Sequence, residues 1–128
     1  MSRYKVDGKE YFCSVEVALD IFNDKWKLYI IWQLLKGSQR FKDLSHIVGI
    51  TQKTLSVKLK ELETKEIIIR HAYAELPPRV EYTLSPLGQK LDPIIRHLYT
   101  WGIDYVKEKG EFLTEKPIRD IEEYLPKH

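Results

Sequence analysis

The segment Thr51–Tyr82, TQKTLSVKLKELETKEIIIRHAYAELPPRVEY, decides how the rest of the chain is read. Thr51 offers an N-cap hydroxyl, and Leu55, Leu59 and Leu62 then recur at helical spacing in a helix that runs to about Lys65. At about 100° per residue the leucines fall within roughly 60° of one another, which gives one buried seam. Ile67-Ile68-Ile69 and Val80-Glu81-Tyr82-Thr83-Leu84 follow as strand runs by β-branched and aromatic content. Pro77 and Pro78 donate no ladder hydrogen bonds, so the pair belongs in the exposed loop between those strands. A helix leading into a β-hairpin on this scale is expected to be a winged helix.

Upstream, residues 1–13 are polar with scattered aromatics and carry no clear structural signal. Ser14 reads as the cap of a first helix over about 15–22, with Val15, Ala18, Leu19 and Phe22 at helical spacing. Asp24 caps a second helix from Lys25 to about Lys36. That helix is apolar nearly all round, with Trp26, Ile30 and Leu34 on one side and Leu28, Ile31 and Leu35 on another, as a central core element should be. Gly37 is its natural stop. Arg40-Phe41 suggests a very short strand, and Lys42 to Val48 a short helix with Leu44 and Ile47 inward. Only Gly49-Ile50-Thr51 separates it from the Thr51 helix, the tight turn that a helix-turn-helix requires.

Downstream, Ser85-Pro86 is a strong helix start, with a capping hydroxyl and proline at the first helical position. Leu87, Leu91, Ile94, Leu98, Trp101 and Tyr105 then mark a helix of about twenty residues, bent at Pro93. Ile95, Tyr99, Ile103 and Val106 lie off that stripe. One small domain does not easily bury both sets, so a second subunit is the expected cover, and Leu87, Leu91, Ile94, Ile95, Leu98, Trp101 and Tyr105 are the candidate dimerisation residues. Residues 110–128 read as a polar, acidic C-terminal tail in which Ile118, Ile121 and Leu125 hint at one more short helix. The expected architecture is mainly α with a small β-hairpin: a winged helix-turn-helix with terminal dimerisation helices over residues 1–109, followed by the tail.

The 128 residues fit one domain with a real core. Hydrophobic residues make up 43% and charged residues 31%, ordinary for a soluble globular protein, and no apolar run approaches the roughly 20 residues of a membrane span. The start, Met1-Ser2-Arg3-Tyr4-Lys5, is not followed by the apolar stretch of a signal peptide. A single cysteine, Cys13, excludes an intrachain disulfide framework, and a cytoplasmic location is expected. The net charge of +2 hides an uneven distribution. Residues 36–79 carry nine Lys/Arg against five Asp/Glu, whereas residues 108–128 carry four against six. The positive surplus therefore sits on the helix and hairpin, where it attracts polyanions.

The side of the Thr51 helix away from its leucine seam carries Lys53, Val57, Lys60 and Thr64, with Ser56 at the edge. Glu61 and Glu63 fall on the flanks. Cations, hydroxyls and one methyl-bearing residue on an acid-free face suit phosphates, guanine edges and thymine methyls. Thr51, Gln52 and Lys53 form the first turn, the part of a recognition helix that reaches deepest into the major groove. Lysines on a lone helix are more often a solvated face. A preceding tight turn and a following hairpin tip the reading toward double-stranded DNA. Arg79, with Arg70 and His71 before it, is a candidate wing contact, since arginine suits a narrow minor groove. Its rival role is to pair with Glu75 or Glu81 and stiffen the loop. The candidate DNA-binding residues are thus Thr51, Gln52, Lys53, Ser56, Val57, Lys60 and Arg79. The rival function class is a winged-helix protein-interaction module without DNA binding, for which exposed apolar residues on that face would be the mark.

Several local patterns resemble the HxlR family of bacterial and archaeal transcriptional regulators. These are Cys13-x-Val-Glu-x-Ala-Leu followed by Lys25-Trp26, Arg40-Phe41-x-x-Leu44, and Lys53-Thr54-Leu55-Ser56-x-Lys58-Leu59-Lys60-Glu61-Leu62. The most specific is Pro77-Pro78-Arg79-Val80-Glu81-Tyr82-x-Leu84-x-Pro86-Leu87-Gly88. The resemblance spans about residues 13–102. It implies a winged helix-turn-helix, a homodimer built mainly from terminal helices, paired DNA half-sites, and contact roles for the Thr51–Lys60 helix and the wing around Pro77–Arg79. Two features depart from the pattern: Ser14 stands where members commonly have proline after the cysteine, and the acidic tail lies outside it.

Some members resemble redox or electrophile sensors that act through the cysteine aligned with Cys13. Immediately before a helix start, free N–H groups and the macrodipole stabilise an anionic sulfur. With one cysteine per chain, a disulfide forms only between subunits or with a small thiol. A small side chain at a dimer contact is the alternative reading of Cys13, and both stay open. No metal, cofactor or enzymatic activity is expected. His46, His71, His97 and His128 lack ligand spacing, and neither GxGxxG nor GxxxxGK[ST] occurs.

Overall fold

The computed structural model describes residues 1–113. The N-terminal stretch, which has no clear signal in sequence, opens the fold as a hairpin: β1 (Tyr4–Val6) and β2 (Lys9–Tyr11) pair antiparallel, Tyr4 opposite Tyr11. Asp7 and Gly8, both at positive φ (49° and 83°), form the two-residue turn between them, the backbone that an Asp-Gly hairpin favours. Helix α1 (Ser14–Ile21) follows. Its cap is Cys13 rather than Ser14, because the Cys13 Sγ accepts the Val15 N–H at 3.4 Å while Ser14 is already helical. Glu16 reaches back to accept the Phe12 amide at 3.1 Å.

Helix α2 (Lys25–Leu35) is capped by Asp24, whose carboxylate accepts the Lys27 amide at 2.9 Å. It is the core element its composition implies, since Ile30, Ile31, Trp32, Gln33 and Leu34 are all buried. The chain then forms β3 (Gln39–Arg40) and α3 (Phe41–Leu44), a single helical turn shorter than the Lys42–Val48 helix expected. Gly49, at φ 83°, turns it toward α4 (Gln52–Thr64), which Thr51 caps through its hydroxyl to the Thr54 amide at 3.1 Å. Strands β4 (Ile68–Tyr73) and β5 (Arg79–Leu84) are longer than their apolar runs, and β5 is central in a sheet of order β3-β5-β4. Tyr73 opposite Arg79 closes the wing, with both prolines in its loop.

The long C-terminal helix differs most from expectation. It is two helices, α5 (Pro86–Gln89) and α6 (Asp92–Lys109). A continuous helix would drive the Pro93 ring into the Gln89 carbonyl. Restarting at Asp92 puts Pro93 in the first turn of α6, where its missing N–H costs nothing. Ser85 is the cap that the sequence indicates: its Oγ accepts the Gly88 amide at 3.0 Å and lies 2.7 Å from the Glu66 carbonyl oxygen. A Cβ on Gly88 would sit 2.3 Å from the Ile67 carbonyl oxygen, so this glycine lets α5 lie against the base of the wing. The core joins α2, α3, α4, the sheet and Ile95 of α6. The short helix expected around Ile118, Ile121 and Leu125 lies outside the described residues.

Candidate nucleic-acid interface

The three seam leucines of α4 are buried, Leu55 completely, so its rotation about its own axis is the one the spacing predicts. That rotation leaves Thr51, Gln52, Lys53, Ser56, Val57 and Lys60 exposed on one side. Among the described residues, Lys53 and Lys60 make no ion pair. Their ammonium groups are therefore available to an external anion. Thr51 is less available than its neighbours, because its hydroxyl is occupied at both lone pair and proton: it accepts from the Thr54 amide and bonds Thr54 Oγ1 at 3.0 Å.

Of the two acidic residues of α4, Glu61 points elsewhere and Glu63 lies on the flank. Glu61 turns toward α2, where its carboxylate meets the Lys27 ammonium at 2.8 Å, and Lys58 meets Asp24 at 2.8 Å. Burial works against charge on Asp24. The Lys58 ammonium and the Lys27 amide outweigh it and hold the carboxyl below its ordinary range. Lys27, a lysine only 5% exposed, does not emerge from spacing on α2. Its one signal in the sequence is a second cation, after Lys25, in the first turn of a mostly apolar helix.

Arg79 occupies the rival position. Its Nε lies 2.6 Å from Glu75, its Nη1 2.5 Å from Glu81, and its guanidinium stacks 3.9 Å over the Tyr73 ring. In the free chain it stiffens the wing, and a phosphate must displace a carboxylate to reach it. A different arginine faces α4: Arg70, exposed on β4, lines a crevice of about 340 Å³ with Ser56, Lys60 and Glu63. In sequence Arg70 reads only as a neighbour of the wing. Strand register places it beside α4, and spacing within either element does not contain that.

On the far side of the domain, α6 is split by face. Ile95, expected among the dimerisation residues, instead faces inward at 3% exposure and belongs to the core, while Tyr99 packs against that core. Leu91 is half-buried against the core. Leu87, Ile94, Leu98, Trp101 and Tyr105 are left exposed, and the last two rings lie 5.4 Å apart. The stripe borders an apolar groove of about 560 Å³ between the N-terminal hairpin, α1 and α5–α6, lined by Tyr11, Val17, Ile21, Leu87, Leu91 and Ile94. Cys13 is half-buried at the start of α1.

Comparison with known proteins gives one consistent result. The family model for the HxlR-like helix-turn-helix matches residues 21–110. The HTH-type transcriptional regulator YdeP of Bacillus subtilis (strain 168) is 40% identical over 94 residues, 73% of this chain and 73% of that protein. Among solved structures, the redox regulator HypR in its oxidised form superposes with a TM-score of 0.67 at 38% identity, covering 72% of this chain and 96% of that one. The reduced form of the transcriptional regulator YodB from B. subtilis gives 0.67 at 35% identity, covering 77% and 96%.

Proposed function

This chain belongs to the HxlR-like helix-turn-helix family of DNA-binding transcriptional regulators, and from that premise we propose that it acts as a sequence-specific homodimer on a near-palindromic operator in the cytoplasm. The observation that carries the reading is the outer face of α4, exposed and free of carboxylates, with Lys53 and Lys60 unpaired among the described residues. Such a face gains from phosphate contact without first breaking an internal pair. Gln52, Ser56 and Val57 are assigned to base edges and Lys53 and Lys60 to phosphate, while Thr51 holds the first turn in shape. Residues 1–109 are taken as the DNA-binding and dimerisation unit and residues 110–128 as an acidic appendage. No catalytic role is assigned to any residue.

Dimerisation is supported by the exposed stripe Leu87, Ile94, Leu98, Trp101 and Tyr105 beside the groove, because an isolated domain gains nothing by leaving so much apolar surface in water. A two-fold axis through this region would set the recognition helices about 34 Å apart, one turn of duplex. The test is Lys53→Ala with Lys60→Ala. The double variant is expected to bind a labelled operator fragment roughly a hundredfold more weakly, about tenfold per lysine, with its dimer mass unchanged. Unaltered operator affinity would show that the wrong face was chosen.

For Cys13 we propose a redox or electrophile response. HypR is a redox regulator, and one solved form of YodB is diamide-treated. Here Sγ caps α1 through the Val15 amide, so a covalent adduct competes with the cap that starts this helix. Diamide takes two hydrogens from two thiols to leave one disulfide, and the second sulfur must come from the other subunit or a small thiol. Diamide is expected to change operator affinity in the wild type and not in Cys13→Ser. Equal responses would remove Cys13 from the mechanism.

A further inference from the structure

Two ion pairs join α4 to the start of α2: Lys27 Nζ to Glu61 at 2.8 Å and Lys58 Nζ to Asp24 at 2.8 Å. Their placement is unlike that of the other charged groups. The Lys27 side chain is 6% exposed, on the helix that supplies Ile30, Ile31 and Leu34 to the core, and it cannot reach DNA. Glu61 is 41% exposed, so the Lys27 end alone is desolvated, and an apolar side chain would fill that position at less desolvation cost. Stability is therefore a poor account of why a lysine is here.

Geometry gives a better one. The core that α2 and α4 share is otherwise apolar, with Ile30, Ile31, Trp32 and Leu34 from α2 and Leu55, Leu59 and Leu62 from α4, and apolar attraction is non-directional. Lys58 and Glu61 lie one turn apart on α4 and grip α2 at two points, Asp24 at its cap and Lys27 in its first turn. Two contacts of fixed length define the tilt of a helix where one would not. The same grip turns Glu61 away from the outer face. Both ends of it are held in place: Asp24 is also bound by the Lys27 amide, and a second Lys58–Glu61 approach at 3.8 Å links the two pairs.

We propose that Lys27–Glu61 and Lys58–Asp24 are positioning contacts that fix the tilt of α4 on α2, so that sequence discrimination depends on them more than overall DNA affinity or stability does. The inference rests on the DNA-binding reading. Non-specific binding needs only cations near phosphates and tolerates a small tilt. Base-edge contacts do not, since a hydrogen bond weakens steeply with misalignment.

The test uses the full-length chain with Lys27→Met and Glu61→Met together, replacing the pair by apolar groups of similar length. Two probes are titrated: a mixed-sequence duplex, and the duplex that the wild type enriches from a randomised pool. The double variant is expected to keep its thermal midpoint and its affinity and salt slope on the mixed duplex, and to bind the enriched one at least tenfold more weakly. Discrimination within twofold of wild type would overturn the proposal. So would an equal weakening on both probes with a lowered midpoint, the signature of a merely structural contact. Should that double variant not fold, Lys58→Met with Asp24→Asn, which keeps the cap acceptor and leaves no unpaired charge, reads the second grip by the same two probes, with selective weakening on the enriched duplex expected and equal weakening on both contrary. A wild type that enriches no duplex would instead defeat the DNA-binding reading, a failure visible before any variant is made.

Discussion

Helices α4 and α6 each bury one face in the same core and leave the other uncovered, yet the uncovered faces are opposite in kind. On α4 the outer side is hydroxyl, amide and ammonium, with one valine. On α6 an apolar stripe of Ile94, Leu98, Trp101 and Tyr105 runs along that side, with His97 beside the stripe. Folding explains neither outer face, because both helices are already anchored by their inner ones. The difference indicates two kinds of partner. A polar cationic face is stable in water and waits for an anion, whereas an apolar one is stable only when covered by another apolar surface.

A carboxylate placed in turn on each side of α6 challenges this division most severely. Ile95→Asp puts an unpaired charge in the core and is expected to cost more than about 3 kcal/mol, seen as a large fall in the urea midpoint. Trp101→Asp, on the exposed side, is expected to leave the monomer fold intact and weaken self-association by roughly thirtyfold, read by sedimentation, as removal of an aromatic anchor of about 2 kcal/mol would. Equal stability losses in the two variants would mean that α6 is not divided as described.

Arg79→Ala is expected to do less to DNA binding than either α4 lysine, about threefold or under, because its guanidinium already serves Glu75, Glu81 and Tyr73. Its main effect should be a looser wing, visible as faster amide exchange in β4 and β5. A weakening as large as that of Lys60→Ala would restore Arg79 to the interface as a direct contact.

The smallest effect concerns pH. Asp24 titrates below its ordinary value of 3.8 in the folded chain, so its stabilising contribution is complete above that value and disappears as pH falls through the lower folded value. Asp24→Asn keeps an N-cap acceptor and is expected to flatten the loss of stability as pH falls below the ordinary value of 3.8, measured as urea midpoints. An unchanged acid limb would show that the Lys58 pair contributes nothing to it.

How much of the molecule is legible in sequence follows the range of the interactions. The seam of α4, the Thr51, Asp24 and Ser85 caps and the loop prolines all depend on residues within one or two turns of each other, and each stands where spacing puts it. Asp7-Gly8 is equally local yet gives no clear signal, because three-residue strands leave too little alternation to recognise. Pro93 carries the right physics toward the wrong outcome: a bend and a restart both relieve the clash, and the choice depends on how α5 packs against Ile67 through Gly88. A helical wheel cannot assign Ile95, since two apolar stripes on one helix do not say which faces the domain. Lys27 with Glu61, and Arg70 beside Lys60, unite residues from separate elements, so no local pattern contains them. The outer face of α4 is legible for a simple reason: it is defined by what does not touch the rest of the chain.

If that face meets the DNA backbone through Lys53 and Lys60, each lysine displaces counterions from the duplex, and salt reports on both. The most direct measurement is affinity for a mixed-sequence duplex as a function of salt, for wild type and for the Lys53→Ala/Lys60→Ala variant. Wild type is expected to show a steep linear fall of log affinity with log salt. The variant should show a slope shallower by about 1.8, at roughly 0.9 for each phosphate no longer neutralised. Equal slopes in the two proteins, or wild-type binding insensitive to salt, would contradict it.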